Sequence, residues 1–236
     1  MTQNPIICAI DTKDIAHAQK LATDLSGTVG AIKLGLEFFT ANGAAGVQQV
    51  AGGKTPVFLD LKFHDIPNTV AGALRSAVSN VDCFLTTVHT LGGKDMMQAA
   101  AKAAREIAEQ TGRKKPLVLG VTVLTSMDVN DLQGIGVADT VSEQVKRLAA
   151  LAQESGLDGV VCSPHEIEML RQQCGKEFTL VVPGIRPMGS DAGDQKRVMT
   201  PREAIDLGAS YLVIGRPITG AADPAKAAQA IAASLR

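Results

Sequence analysis

The chain has 236 residues, of which 45% are hydrophobic, so it is long enough to bury a substantial core and too apolar to be disordered. Its 23 lysine and arginine residues against 24 aspartate and glutamate residues give a formal charge of −1, which lacks the basic excess of most nucleic-acid-binding surfaces. With one Tyr, six Phe and no Trp, it also offers few platforms for stacked bases, so we expect no nucleic-acid partner.

Short apolar segments rich in β-branched residues alternate with longer amphipathic segments along the chain, which is the pattern of repeated βαβ units. The eight predicted strands are 6–10, 30–34, 57–61, 83–88, 117–123, 159–162, 179–182 and 211–214. The eight predicted helices are 15–25, 37–50, 69–78, 96–111, 141–155, 164–173, 201–207 and 224–235. Strands such as 57–61 and 211–214 are apolar on both faces, as in a parallel sheet covered by helices.

Eight βα units in about 240 residues predict an α/β fold of the (β/α)8 TIM barrel type. The alternative is a doubly wound open sheet, which more often has five or six strands and a glycine-rich turn after the first strand. Here the first predicted strand runs into 9–13, AIDTK, without a glycine. No Pro/Ser-rich linker or low-complexity tract divides the chain, so we expect a single catalytic domain over 1–236.

Membrane and secretory signals are missing from the sequence pattern. No segment reaches the roughly 18 uninterrupted apolar residues of a membrane span, and the N-terminal residues lack a basic start and an apolar run. The four cysteines have no CxxC spacing; they are Cys8, Cys83, Cys162 and Cys174. We therefore expect buried, reduced thiols, no membrane partner and a cytoplasmic protein.

Charged residues collect at the carboxyl ends of the predicted strands, the edge that carries the active site in barrel enzymes. They are Asp11 after the first strand, Lys33 at the end of the second, Asp60 and Lys62 at the third, His89 after the fourth and Arg216 after the eighth. Each of them alone has an ordinary explanation as a helix cap or a rim ion pair. Their shared position favours a functional site.

The segment 60–69, DLKFHDIPNT, holds the densest group of polar residues. Alternation along a strand places Asp60 and Lys62 on one face, toward the barrel mouth. Asp65 then falls in the following loop and Thr69 in the first turn of the next helix. Carboxylates on both sides of Lys62 favour its ammonium form, which predicts a proton donor. They argue against a Schiff-base lysine, because that role needs a neutral amine as the nucleophile.

Two further motifs follow the seventh and eighth predicted strands, where barrels often bind phosphate. They are 183–187, PGIRP, and 214–218, IGRPI. Each supplies a glycine for close backbone approach and an arginine whose planar fork suits phosphate oxygens. The loop 188–197 is long and polar enough to fold over a ligand, with a plain surface loop as the alternative.

Metal ligation is not indicated by the four histidines. His64 and His89 fall near the carboxylates of the rim, but the chain has neither HxH nor HExxH spacing. We expect these two rings to pack or to form hydrogen bonds at the rim, and we expect no metal site.

The segment 60–69 resembles the signature of the orotidine 5'-phosphate decarboxylase family, with its Asp-x-Lys-x-x-Asp-Ile-x-Asn-Thr core. The resemblance extends over most of the chain and includes Asp11, Lys33, 124–126, 183–187, 193–195 and 215–217. The spacing is similar to that of the shorter bacterial enzymes. The resemblance implies decarboxylation of orotidine 5'-monophosphate (OMP) to UMP, the last step of de novo UMP synthesis, with neither metal nor organic cofactor.

The resemblance also implies roles for the matching residues. Lys62 would protonate carbon 6 of the pyrimidine as carbon dioxide leaves, in a charged network with Lys33, Asp60 and Asp65. Asp65 and Thr69 would reach into the neighbouring subunit's site in a homodimer. The implied substrate contacts are Asp60 near the carboxylate, Asp11 and Lys33 at the ribose, Thr125 and Ser126 at the base, and Arg186, Gln195, Gly215 and Arg216 at the phosphate.

Two other functions stay open at this point. One is a magnesium-dependent sugar-phosphate lyase similar to hexulose-phosphate synthase or ketogulonate-phosphate decarboxylase, which share the Asp-x-Lys-x-x-Asp motif. The other is a non-catalytic barrel that binds nucleotide phosphates. Asn68, Thr69 and the 125–126 loop favour the nucleotide enzyme over the first alternative, and the complete charged network favours it over the second.

Overall fold

The strands pair in chain order, each parallel to its neighbours, and the last pairs with the first to close a barrel. The structure is a computed structural model that describes residues 4–52, 55–187 and 199–235. The strands in these ranges are β1 Ile6–Ala9, β2 Ala31–Gly35, β3 Val57–Phe63, β4 Cys83–His89, β5 Leu117–Val121, β6 Gly159–Val161, β7 Thr179–Val182 and β8 Tyr211–Ile214. The predicted (β/α)8 TIM barrel is confirmed, and the open-sheet alternative is wrong.

Helices connect the strands and cover the outside of the barrel. They are α1 Ile15–Asp24, α2 Leu36–Ala51, α3 Pro67–Asn80, α4 Gly93–Thr111, α5 Val129–Gly134, α6 Val141–Glu154, α7 Ile167–Cys174, α8 Pro201–Asp206, α9 Arg216–Thr219 and α10 Pro224–Ala233. Short 3₁₀ turns, Thr90–Gly92 and Pro164–Glu166, precede α4 and α7. None of the helices in the described ranges combines the length with the apolar character that a bilayer crossing demands.

Two of these helices, α5 and α9, are absent from the sequence prediction. The α5 helix has six residues and depends on a capping box, in which the Asp128 carboxylate accepts from the N–H of Asp131 and the Asp131 carboxylate accepts from the N–H of Asp128. The α9 helix has only four residues. Elements this short carry too few turns to show a helical period in the sequence.

Side chains alternate along the strands between the barrel interior and the layer beneath the helices. The inner cluster consists of Ile7, Ala9, Ala31, Phe58, Leu85, Leu119, Val181 and Val213. The larger outer cluster holds strand residues of the opposite parity, such as Leu59 and Leu61, together with helix residues such as Val70 and Leu74. Leu61, which lies between Asp60 and Lys62, therefore faces the helices.

The pairing of β3 with β4 is irregular near the carboxyl ends of the strands. Leu59 pairs with Thr86 and Phe63 pairs with Val88, so three β3 residues lie opposite a single β4 residue. One of the three, Lys62, has φ +48° and is the only non-glycine residue with positive φ in the described part of the chain. This bulge redirects the end of β3 and sets the direction of its polar side chains.

All four cysteines are free and buried. Burial raises the pKa of the Cys8 and Cys83 thiols to about 12, so both remain protonated at neutral pH. Inert, buried thiols of this kind agree with the sequence prediction and contribute to packing rather than to chemistry.

Candidate active site

Four of the predicted site residues form a continuous chain of alternating charge at the carboxyl ends of β1, β2 and β3. Asp11 Oδ1 lies 3.2 Å from Lys33 Nζ, which lies 3.8 Å from Asp60 Oδ2. The same Asp60 oxygen lies 2.8 Å from Lys62 Nζ. The structure therefore brings together side chains from three strands, with each acid in contact with at least one ammonium group.

Burial differs sharply along this chain of charges. The side chains of Asp60 and Lys33 are 11% and 13% exposed, whereas the Asp11 side chain is 67% exposed. A buried carboxylate is costly unless it is paired and hydrogen-bonded. Asp60 meets both conditions, because its Oδ2 contacts two ammonium groups and its Oδ1 accepts a 2.9 Å hydrogen bond from the Thr87 hydroxyl.

A pocket opens directly on this group of charges. Its walls include all four charged residues and the apolar side chains of Ile10, Leu36 and Phe38. An apolar wall facing a few convergent polar groups is typical of a small-molecule site. The position at the carboxyl ends of the strands is the usual place for a barrel active site.

Thr87 belongs to this site, although the sequence prediction omits it. Its hydroxyl donates to Asp60 Oδ1 and accepts a 3.0 Å hydrogen bond from the backbone N–H of Lys62. A signal for it was present, because Thr87 lies two residues before His89 on β4 and so shares its strand face. A hydroxyl on the inner face of β4, on the same strand face as His89, is the sequence feature that points to Thr87.

His64 and His89 form a stacked pair beside the site, with ring centroids 5.3 Å apart and planes inclined by 17°. Burial, followed by the neighbouring charges of His64 and Lys62, lowers the pKa of His89 and favours its neutral form. Within the described ranges, no group of three or more His, Cys, Asp or Glu side chains is arranged to hold a metal ion. The packing role predicted for these two histidines agrees with the structure.

Within the described residues, neither Asp65 nor Thr69 forms a hydrogen bond or ion pair with Asp11, Lys33, Asp60 or Lys62. Both are exposed, and the Asp65 carboxylate accepts a 2.6 Å hydrogen bond from the neighbouring Ile66 N–H. Among ion pairs between described residues, Lys62 pairs with Asp60 and none involves Asp65. The prediction of two acids flanking Lys62 is therefore met, within one chain, by Asp60 alone.

The motifs after β7 and β8 reach the same edge of the barrel. Arg186 is buried, and its backbone N–H donates to the Met199 carbonyl at 3.0 Å. Gly215 lies beside the end of β1, where an added Cβ would be in ordinary contact with Ala9 and would sit 3.9 Å from Asp11 Oδ2. Arg216 follows as the exposed first residue of α9.

The remaining predicted contacts are those of the turn after β5 and of the 188–197 loop. Thr125 is half-buried and Ser126 is exposed, in a turn that follows β5 and is closed by a 2.9 Å hydrogen bond from Met127 N–H to the Leu124 carbonyl. The turn lies at the carboxyl side of the barrel, as expected. Gln195 and all of the predicted 188–197 loop lie outside the described residues.

Comparison with known proteins agrees with this geometry. Residues 4–231 match the model of the orotidine 5'-phosphate decarboxylase / HUMPS family. The chain is 56% identical over 236 residues to the orotidine 5'-phosphate decarboxylase of Rhodospirillum rubrum, covering 100% of this chain and 95% of that protein. It is also 56% identical over 234 residues to the protein of the same name from Moorella thermoacetica, covering 99% of this chain and 92% of that one.

A solved structure of a protein with the same name also matches this chain. The crystal structure of orotidine 5'-phosphate decarboxylase from Lactobacillus acidophilus superimposes with a TM-score of 0.88 at 35% identity, covering 99% of this chain and 100% of that chain. Sequence and fold thus agree over nearly the whole length of the chain. The protein belongs to the orotidine 5'-phosphate decarboxylase / HUMPS family.

Proposed function

We propose that this protein decarboxylates OMP to UMP and carbon dioxide, the last step of de novo UMP synthesis, and that Lys62 is the proton donor. The observation that carries the proposal is the alternating chain of Asp11, Lys33, Asp60 and Lys62 beside a pocket at the barrel's carboxyl edge. The relatives named above, at 56% identity over nearly their full length, support the choice of substrate.

The proposed chemistry follows from where negative charge develops. Breaking the bond between carbon 6 and the carboxyl group releases carbon dioxide and leaves an electron pair on carbon 6. An ammonium group beside that carbon stabilises the developing charge more than it stabilises the substrate, which lowers the barrier. A proton then passes from Lys62 Nζ to carbon 6, and the neutral amine regains its proton from water.

The neighbouring charges prepare Lys62 for this step. Asp60 pairs with the Lys62 ammonium at 2.8 Å and fixes its position. We place the substrate carboxylate near Asp60, where repulsion between two carboxylates is relieved as carbon dioxide departs. Lys33 and the exposed Asp11 bind the ribose hydroxyls in this arrangement.

The other end of the nucleotide is assigned to the loops after β5, β7 and β8. We propose that Thr125 and Ser126 contact the base, and that the phosphate is bound by Arg186, Gln195, Gly215 and Arg216. An arginine fork and backbone approach at a glycine are suited to phosphate oxygens. Binding energy from this remote phosphate can assemble the site around the reacting carbon.

We also propose a homodimer in which Asp65 and Thr69 complete the neighbouring subunit's site. The segment 64–69 is exposed throughout, and the apolar side chain of Ile66 within it is 67% exposed. A second subunit over this segment would cover the apolar side chain and supply a second carboxylate near Lys62.

The buried, unpaired cysteines support a reducing compartment, and we propose the cytoplasm.

The test of this function is release of carbon dioxide from OMP by the purified protein, with and without EDTA. We expect UMP to form at the same rate in both conditions. No release of carbon dioxide from OMP, together with turnover of a sugar phosphate that EDTA abolishes and magnesium restores, would favour the metal-dependent sugar-phosphate lyases instead. Tight UMP binding without turnover would favour a non-catalytic binding protein.

Replacing Arg216 with alanine is expected to weaken phosphate binding. Loss of a charge-assisted hydrogen bond, about 1.5–3 kcal/mol, should raise KM for OMP roughly 10- to 100-fold while kcat changes less. Steady-state kinetics on OMP provide the measurement. The control is Arg202→Ala, because Arg202 lies on α8 and pairs with Asp206 at 2.8 Å on the surface. Equal KM values for the two variants would remove Arg216 from the phosphate site.

A further inference from the structure

A single buried hydroxyl joins the two central residues of the site. Thr87 is 0% exposed, and its Oγ1 donates to the Asp60 carboxylate at 2.9 Å while accepting the Lys62 backbone N–H at 3.0 Å. A threonine hydroxyl has one proton to donate, and Thr87 gives it to the carboxylate. The same oxygen therefore controls the orientation of one side chain and the backbone position of the other.

The location of Thr87 explains why the site needs such a link. Thr87 is the β4 residue opposite the three-residue bulge in β3, where regular strand pairing is interrupted between Leu59 and Phe63. Lys62 lies in this bulge with φ +48°, a conformation that costs a non-glycine residue on the order of 1 kcal/mol. In place of a regular ladder contact, the Lys62 N–H is bonded to the Thr87 side chain.

Two nearby threonine hydroxyls, in contrast, donate to backbone carbonyl groups. Thr86 donates to the Leu59 carbonyl at 2.9 Å and Thr90 donates to the Val121 carbonyl at 2.8 Å. All three threonines are 0% exposed. Of these three threonines, Thr87 is the one whose hydroxyl forms a hydrogen bond with a charged side chain, among the described residues.

We propose that Thr87 is a positioning residue, which fixes the Asp60 carboxylate and the left-handed backbone at Lys62 so that the Lys62 ammonium faces the reacting carbon. This inference rests on the proposed decarboxylase function. Thr87 itself does not touch the substrate in this arrangement. Without the hydroxyl, the buried Asp60 carboxylate and the Lys62 N–H both lose this partner, and the ammonium moves with them.

Thr87→Val tests the proposal, because valine keeps the shape of threonine and removes the hydroxyl. A displacement of about 1 Å at a reacting group costs up to about 100-fold, so we expect kcat for OMP to fall roughly 10- to 100-fold with KM changed less than about threefold. Thr87→Ser keeps the hydroxyl and should recover most of kcat. Thr86→Val is the matched control, since it removes the same atom from the adjacent position and should keep kcat within about threefold of wild type.

Thermal unfolding separates positioning from folding. Thr86→Val loses one hydrogen bond and Thr87→Val loses two, so both variants should lower Tm, Thr87→Val by more, while only Thr87→Val loses kcat. Should Thr87→Val fail to fold, Thr87→Ala replaces it with the same expected loss of kcat. Equal kcat in Thr87→Val and Thr86→Val, or no recovery in Thr87→Ser, would overturn the role of Thr87. A wild-type protein that releases no carbon dioxide from OMP would overturn the proposed function itself.

Discussion

Replacing Lys62 with alanine is expected to lower kcat for OMP decarboxylation by on the order of 10⁴-fold or more, because both the positioned proton donor and the fixed positive charge are lost. The fold should survive this change. Lys62 lies at the rim with a side chain that is 31% exposed, and Lys33 still lies 3.8 Å from the Asp60 carboxylate. We therefore expect Tm to shift by no more than about 5 °C.

Steady-state assays of UMP formation and thermal unfolding of the same preparation measure both effects. The control is Lys20→Ala, which removes a lysine whose ion pair with Asp24 lies on the surface of α1. This control should keep wild-type kcat. An unfolded Lys62→Ala protein would make Lys62 a structural residue, and a folded variant with normal turnover would exclude it as the proton donor.

Mixing two inactive variants, Lys62→Ala and Asp65→Ala, is expected to restore activity if sites are shared between subunits. In a hybrid dimer, one site receives both substitutions and the other receives neither. An equal mixture that exchanges freely contains about half hybrid dimers, so total activity should reach about a quarter of wild type. Each variant alone is expected to lose at least about 100-fold in kcat.

Subunit exchange has to be shown independently in this experiment, for example with two affinity tags on the two variants. A mixture of each variant with itself provides the baseline. Demonstrated hybrids without recovered activity would contradict shared sites, and Asp65 would then act within its own subunit or not at all. Normal activity of Asp65→Ala alone would remove Asp65 from the site.

The barrel and the position of the site could be predicted because both depend on regular periods. Strands that are apolar on both faces alternate with amphipathic helices, and this pattern extends over all eight units. The same alternation placed Asp60 and Lys62 on one face, and their side chains meet at 2.8 Å. Helix and strand boundaries differed from the structure by three residues or fewer.

The details that complete the site depend on long-range contacts, which a sequence period does not contain. The bulge in β3 arises from its register against β4, so neither the positive φ of Lys62 nor its bond to Thr87 follows from the sequence around position 62. The contacts of Asp65 likewise depend on more than the local sequence. Sequence proximity suggests a second carboxylate beside Lys62 in the same chain, whereas Asp65 is exposed and its carboxylate accepts from the Ile66 N–H.

A crystal structure of the protein with UMP bound would test the position of Lys62 most directly. Our account predicts Lys62 Nζ within roughly 3.5 Å of carbon 6 of the base, the distance expected between reacting atoms. Carbon 6 at the far side of the pocket, with another residue facing it, would contradict the assignment of Lys62 as proton donor even though the barrel is unchanged.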